Sequence, residues 1–247
     1  MQVKRIRRSS AASIVRQELK KMIKAGYFKD GTIPSEEGIA AMFGVSRTTV
    51  RDALANLENL GYISRIQGRG TMINQVVSNL SCRISEGLPF TELISSLGMK
   101  AAVVNGKAEK IPAIPRIREK LQTDDTELYC VTKLFTGDGK PAIYGKNFYS
   151  LQYLTDDVFN CPMDETSIFH ILQQHFDFPD IAFDVVDIQP VAATGEVAEI
   201  LQLEEGTPIM HFESTSMDKD NHPLMINSEY YNPNLIHFCE RRVTQYY

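Results

Sequence analysis

Five hydrogen-bond donors lie within six consecutive residues of this chain, at Ser46, Arg47, Thr48, Thr49 and Arg51. Two of them are guanidinium groups, which donate several hydrogen bonds and accept none. A glycine-flanked arginine follows within the "QGRG" turn, at Gly68, Arg69 and Gly70. The base edges and phosphates of nucleic acid are rich in acceptors, so a partner of this kind would suit such a donor set.

The surrounding residues predict the elements that would position these donors. Apolar side chains recur at helical spacing in "SSAASIVRQELKKMIKAGYF", and "GTIPSEEGIAAMFGVS" predicts a second helix that opens at Ser35 and closes at Gly44. Ser46 can cap a third helix with a continuous apolar face, which places Arg47, Thr48 and Arg51 on the opposite face. Short strands, "YISRI" and "TMINQV", then flank the glycine-rich turn. This order predicts a winged helix-turn-helix, whose third helix contacts base edges.

The distribution of charge supports the same interpretation. The chain carries a net charge of -5, but residues 1–75 hold 13 of the 26 basic groups and 6 of the 31 acidic ones. That part has a net charge of +7 and residues 76–247 have a net charge of -12. A basic head on an acidic body predicts a polyanionic partner for the head alone. The arm formed by Lys4, Arg5, Arg7 and Arg8 adds to this charge.

Composition excludes several other classes of protein. No uncharged apolar run reaches the roughly 18 residues that a membrane span needs, and Arg16 and Glu18 interrupt any signal-peptide core. The four scattered cysteines favour a reducing cytoplasm and provide no zinc-site spacing. We therefore expect a cytoplasmic protein with no membrane association, no metal and no cofactor.

The body of the chain contains an internal repeat. The segments that begin "LQTDDTELYC" at Leu121 and "LQLEEGTPIM" at Leu201 each continue through a strand, a turn, a proline and a second strand. Turns of "TGDGKP" and "DKDNHP" predict two hairpins, which could share one antiparallel sheet with helices at 165–176 and 195–202 against it. The fold class is therefore α+β, with domains at residues 1–75 and 81–247 and a linker at 76–80.

Some polar residues of the body are candidates for a ligand site. Period-2 alternation places Lys133 on one face with Tyr129, Val131 and Phe135, and it places Glu229 on one face with Met225, Asn227 and Tyr231. Asn147 and Tyr149 occupy the matching positions of the first hairpin, and Thr91 can cap a short helix in "GLPFTELISSLG". The competing interpretation is that these are polar residues of edge strands in water.

The head resembles the DNA-binding domain of the GntR family of bacterial transcription regulators. The resemblance covers residues 10–75 and rests on the Pro-Ser-Glu entry, "VSRTTVRDAL", the Leu-Glu-x-x-Gly exit and the "GRGT" wing. It implies DNA contacts at Arg47, Thr48, Thr49, Arg51, Gly68, Arg69 and Gly70. One position departs from the pattern, since Glu37 stands where many members carry a DNA-contacting arginine.

The body resembles the UTRA effector-binding domain, which has a chorismate lyase-like fold and marks the HutC-type branch of that family. The match covers residues 80–240 and rests on "PFTELISSLG", "FTGDGKPAIYGKNFY", "SIFHIL" and "HPLMINSEYYNPNLIHF". It implies effector contacts at Thr91, Lys133, Ser167, Glu229 and Tyr231, to which the repeat adds Asn147. Lys133, Phe135 and Asn232 replace arginines of the family pattern, which weakens bidentate recognition of phosphate.

Together these features predict a repressor that binds an inverted-repeat operator in double-stranded DNA as a homodimer. A small metabolite (a sugar phosphate, amino acid or organic acid) would release it. Two alternatives stay open. The body could serve only to dimerise a constitutive DNA-binding protein, or the chain could be a lyase-like enzyme. The five histidines lie in no known catalytic motif, so no catalytic residue is assigned.

Overall fold

The computed structural model describes residues 11–80, 82–84, 87–157, 172, 176 and 178–242. The chain divides into two compact units, one formed by residues 1–86 with 238–247 and the other by residues 87–237. Among the described residues, no helix is long and apolar enough to cross a membrane.

The first unit begins as a three-helix arrangement followed by a small sheet. Its elements are α1 (Ala11–Lys24), β1 (Thr32–Ile33), α2 (Glu36–Phe43), α3 (Arg47–Asn59), β2 (Ile63–Ile66), β3 (Gly70–Ile73) and α4 (Gln75–Ser78). Ser35 caps α2 by accepting a hydrogen bond from Gly38 N, and α2 ends at Gly44, whose φ of 65° is left-handed. The apolar stripes of the helices meet in one core formed by Val15, Leu19, Ile23, Phe28, Ile33, Ile39, Val50, Ala53, Leu54, Leu57, Tyr62 and Ile63. The predicted winged helix-turn-helix is therefore confirmed, whereas the expected linker contains the short helix α4.

Strands β2 and β3 form the wing. They pair in antiparallel fashion from Ile63↔Ile73 to Ile66↔Gly70, and β1 pairs with the other edge of β3. Arg69 N donates to Ile66 O across the turn, at 3.0 Å. Gly68 and Gly70 adopt φ of +79° and +78°, a region in which a side chain would be strained. Glycine at both positions lets the turn close tightly and present Arg69 at its tip.

The C-terminal segment also packs in the first unit. Arg83 and Cys239 form a parallel bridge, and Cys239 N donates to Cys82 O at 3.2 Å. The guanidinium of Arg83 donates to Leu60 O at 2.7 Å and to Glu240 Oε1 at 3.0 Å. The sequence analysis places both segments in the second domain, whereas the structure groups them with the first unit. Nothing in their composition indicates a pairing across more than 150 residues.

The second unit is built on a six-stranded antiparallel sheet with the order β4-β5-β6-β9-β8-β7. Its strands are β4 (Ala101–Pro112), β5 (Glu127–Gly137), β6 (Lys140–Tyr149), β7 (Phe183–Ala192), β8 (Pro208–Met217) and β9 (Pro223–Tyr231). The helices that the structure describes in full in this unit are α5 (Phe90–Ser96), α6 (Pro115–Lys120) and α7 (Gly195–Leu201). The repeated hairpins β5–β6 and β8–β9 lie side by side in one sheet, as predicted, because β6 pairs with β9. The expected helix at 165–176 lies outside the described residues, apart from Leu172 and Phe176.

The two faces of this sheet differ. On one face, α6 packs with Leu128, Cys130, Phe148 and Ile226, and α7 packs with Tyr144 and Ile209. On the other face, an apolar cluster contains Tyr129, Val131, Tyr149, Leu154, Leu172, Phe178, Leu224 and Met225. The strand residues singled out in the sequence project from this second face, two to six residues along the strands from the cluster.

Candidate nucleic-acid interface and ligand site

The start of α3 presents the predicted donors on the surface of the first unit. Ser46 caps the helix, since its Oγ accepts from Thr49 N at 3.1 Å and lies 2.8 Å from Thr49 Oγ1. Arg47, Thr48 and Arg51 are exposed, while Val50, Ala53, Leu54 and Leu57 anchor the opposite side in the core. The helix is therefore held along one face and offers its donors on the other, concentrated in the first two turns.

Acidic residues at the start of α2 hold the two arginines. Arg47 Nη1 donates to Glu37 Oε1 at 2.8 Å, and Arg51 Nη2 donates to Glu36 Oε2 at 3.1 Å. The hydrogen bond from Arg51 lowers the pKa of Glu36, so this carboxylate stays charged. Arg65 of the wing lies 4.0 Å from Glu36 and 3.3 Å from Glu58. An ionic network therefore connects α2, α3 and the wing, a feature that sequence spacing alone does not reveal.

The candidate ligand-site residues of the second unit come together on the face opposite α6 and α7. Lys133 pairs with Gly145, Gly145 pairs with Glu229, and Glu229 pairs with Phe212 across four strands. Neighbouring strands lie about 4.8 Å apart, so the backbones at Lys133 and Glu229 are roughly 10 Å apart with a glycine between them. Phe90 of α5 lies over that glycine, because a Cβ added at Gly145 would meet Phe90 Cε2 at 3.7 Å.

Aromatic rings border one side of this row. Phe90 packs edge-on against Phe135 at 4.8 Å and against Tyr231 at 6.3 Å, and Tyr231 lies 4.9 Å from Phe212. An amide cluster borders the other side, where Asn147 Nδ2 donates to Asn227 Oδ1 at 2.5 Å. Sequence reasoning missed Phe90 and Phe212, although alternation along β8 would have placed Phe212 on this face.

The hydrogen bonds continue from Asn227 to the edge of the sheet. Its Nδ2 lies 2.9 Å from Ser214 Oγ and 3.2 Å from Ser216 Oγ, and Ser216 donates to Asp184 at 2.5 Å. The sequence analysis does not single out either serine. The register of β8 against β9 brings both hydroxyls next to Asn227, and that register is not visible in the sequence.

Two glutamates on opposite faces of the sheet have different environments. Glu213 Oε1 accepts from Arg116 at 2.5 Å and from Lys120 at 2.7 Å. Burial favours a higher pKa for Glu213, but the hydrogen bonds and charges of Arg116 and Lys120 together outweigh it, so the pKa is lowered. Glu229 accepts from the Tyr231 hydroxyl at 2.5 Å, and burial raises the pKa of Glu229 to about 7. Glu229 is thus a half-buried acid without an adjacent cation among its described contacts, and a carboxyl with a raised pKa is a feature typical of ligand-binding positions.

Two predicted effector positions differ from this group. The expectation that Thr91 caps a helix is wrong, because α5 begins at Phe90 with Pro89 at the N-cap and no side chain caps it. Thr91 is half-buried in the first turn of α5. Ser167 lies outside the described residues. Among the residues that the structure describes, no group of acidic, histidine or cysteine side chains could hold a metal ion.

Comparisons with known proteins agree with this architecture. Residues 11–73 match the model of the family described as "Bacterial regulatory proteins, gntR family", and residues 96–237 match the UTRA domain. The transcriptional repressor NagR of Bacillus subtilis is 27% identical over 205 residues, which cover 82% of each chain. The transcriptional regulator TreR of the same organism is 27% identical over 192 residues, covering 76% of this chain and 78% of its own.

A solved structure shows the same fold. It is described as that of a possible transcriptional regulator, YydK, from Bacillus subtilis, and it superimposes with a TM-score of 0.67 at 19% identity. The match covers 95% of this chain and 100% of that one. The named relatives are regulators rather than enzymes, so the lyase-like alternative receives no support from them.

Proposed function

Because this chain belongs to the GntR family of bacterial transcription regulators and carries a UTRA domain, we propose that it represses transcription under the control of a small metabolite. As a homodimer it binds an inverted-repeat operator in double-stranded DNA. The half-sites lie about one helical turn apart, since each α3 enters one major groove. Binding of the metabolite to the second unit releases the operator.

The exposed donors of α3 and the wing support the first part of this proposal. Arg47 and Arg51 can each pair bidentately with guanine, and Thr48 and Thr49 can donate to phosphate or contact a thymine methyl. The turn of Gly68, Arg69 and Gly70 lies where a wing contacts the flanking backbone or minor groove. The α3 donors lie together at the start of one helix, and Gly68, Arg69 and Gly70 lie together in one turn. One DNA duplex can therefore contact both groups at the same time.

The placement of buried Lys133 and half-buried Glu229 on one sheet face carries the second part. Lys133 is 2% exposed, and Glu229 holds a carboxyl whose pKa is raised to about 7. Phe90 covers the glycine between these two residues, so their polar groups lie on an enclosed part of the sheet face. The arrangement suits a metabolite with an anionic group for Lys133 and a hydroxyl or amine for Glu229. Asn147 and Tyr231 border the same part of the face, and Thr91 and Ser167 belong to this proposal as family positions.

The edge strand β7 supports the dimer. Among the described residues it is the last strand of the sheet, and it leaves Phe183, Val185, Val186 and Ile188 between 36% and 51% exposed. Exposed apolar edge strands in soluble proteins typically mark an interaction surface. The same observation favours the alternative function, in which the second unit only dimerises a constitutive DNA-binding protein.

DNA-binding assays combined with a ligand screen distinguish these two functions. Footprinting and mobility-shift assays on the DNA upstream of the chain's own gene should give a protected inverted repeat. A thermal-shift screen against sugar phosphates, amino acids and organic acids should give a stabilising ligand, and that ligand should release the DNA. A bound operator that no screened metabolite releases would favour the constitutive alternative, while failure to bind DNA even at low salt would contradict both.

A further inference from the structure

An acidic side chain, Glu37, lies beside Arg47 on the surface that carries the exposed donors of α3. Glu37 is 72% exposed and Arg47 is 58% exposed, and the 2.8 Å bond between them joins the first turns of α2 and α3. An ion pair this exposed contributes little to folding stability, because water and salt screen it. Its position on the candidate DNA-binding surface therefore calls for another explanation.

The two oxygens of Glu37 are used unequally. Oε1 accepts from Arg47 Nη1, and among the described residues no second hydrogen bond reaches this carboxylate. Glu36 differs, because both of its oxygens face arginines of α3 and the wing. Glu36 therefore has a structural role in the ionic network, whereas Glu37 keeps an acceptor available at the surface.

DNA offers few donors to such an acceptor. Phosphates carry acceptors and negative charge, so they repel a carboxylate. In the major groove, the donors are the N4 amine of cytosine and the N6 amine of adenine. A carboxylate that contacts DNA here must consequently reach the amino group of a base.

The guanidinium of Arg47 favours cytosine over adenine as the base that Glu37 contacts. Arg47 uses one of its N–H groups for Glu37 and retains others for bidentate pairing with guanine N7 and O6. Across the major groove, a G·C pair presents two acceptors followed by the N4 donor, which is the pattern that an arginine beside a carboxylate complements. An A·T pair places its donor between two acceptors and offers arginine no such adjacent pair.

We propose that Glu37 and Arg47 act together to read one G·C pair in each half-site, with Arg47 donating to the guanine and Glu37 accepting from the cytosine N4 amine. This inference rests on the proposed operator binding and adds a specificity-determining residue to it. The negative charge of Glu37 weakens attraction to phosphate, and the contact to cytosine provides base discrimination.

The test begins with the sequence preference of the full chain. Selection from a randomised double-stranded DNA library should give the wild type one position per half-site with a strong preference for G·C. Glu37→Ala should relax that preference by roughly 5- to 10-fold, the low end of the range for a good base contact. Glu18→Gln is the matched control, since Glu18 pairs with Lys21 at 2.8 Å on the surface of α1. That variant should leave every preference unchanged.

An atomic probe makes the test sharper. Replacing the cytosine by an analogue that lacks the N4 amine should weaken wild-type binding by a similar factor and leave Glu37→Ala binding unaffected, so the two changes are coupled in a double-mutant cycle. Uniformly tighter binding of Glu37→Ala to all sites, with preferences unchanged, would show that Glu37 merely neutralises Arg47 and would overturn the inference. A wild-type chain that selects no sequence would instead overturn the proposed operator binding, and the inference with it.

Discussion

The buried guanidinium of Arg83 should contribute measurably to the stability of the first unit. It is 5% exposed, donates to the carbonyl of Leu60 at 2.7 Å and to Glu240 at 3.0 Å, and lies 5.5 Å from the centre of the Tyr62 ring. Leu60 follows the last residue of α3 and its N–H closes that helix. Arg83→Ala would therefore remove a charged donor from the C-terminal end of α3, the helix whose first turns carry the proposed DNA contacts.

The magnitude follows from the three contacts. A hydrogen bond from a charged donor contributes about 1.5–3 kcal/mol, and a cation over an aromatic ring contributes about 0.5–1 kcal/mol. The pair with Glu240 adds less than about 1 kcal/mol, because that side chain is 34% exposed and stays solvated when its partner is removed. Since losing the long side chain also releases its ordering entropy, the expected cost is about 2–4 kcal/mol.

Hydrogen exchange measured on peptides that cover residues 47–62 would report this change locally. If these amides exchange by opening of the first unit, their protection should fall by roughly 30- to 800-fold in Arg83→Ala. Glu240→Gln should lower protection by less than about fivefold, because its contribution is small. Arg118→Ala is the control, as Arg118 is an exposed arginine of α6 in the other unit. Protection in Arg83→Ala equal to that in the control would refute the role of these contacts.

Four further outcomes are expected. Arg51→Ala should weaken operator binding by about 1–3 kcal/mol and relax specificity in mobility-shift assays, and unchanged affinity would contradict a base contact. Deleting residues 1–10, or changing Arg69→Ala, should flatten the salt dependence of DNA binding by roughly one unit of slope per lost phosphate contact, and an unchanged slope would leave these groups as solvated charges. Lys133→Ala should bind operator normally yet respond weakly to the metabolite, since removing a buried charged partner of a ligand costs about 2–5 kcal/mol; identical titration curves would exclude it from the site. Burial raises the pKa of Glu229 to about 7, above that of an exposed glutamate, so the folded protein retains a proton that the unfolded chain loses. This group therefore lowers stability by at most about 3 kcal/mol as pH rises from about 4.5 to 7. Glu229→Gln should lack that loss in urea unfolding at pH 5 and pH 8, and parallel profiles for the two proteins would contradict the raised pKa.

Much of the architecture could be predicted from the sequence because its determinants are local. The apolar spacing from Val50 to Leu57 predicts which face of α3 is buried, and Ser46 predicts where the helix begins. The internal repeat predicts the two hairpins, and period-2 alternation places Lys133 and Glu229 on definite strand faces. In each case neighbours within a few residues determine the backbone conformation, so a single stretch of sequence is informative.

The tertiary structure decided which of these faces meet. Pairing of β6 with β9 places Gly145 between Lys133 and Glu229, and the packing of α5 brings Phe90 over that glycine. The bond from Arg47 to Glu37 and the burial of Arg83 beside Glu240 likewise depend on how separate elements pack. Strand order, register and ion pairing between distant segments depend on which arrangement of the whole chain buries the most apolar surface and satisfies its polar groups. No local pattern encodes that choice, so the sequence determined the elements and their faces, while the fold determined the sites.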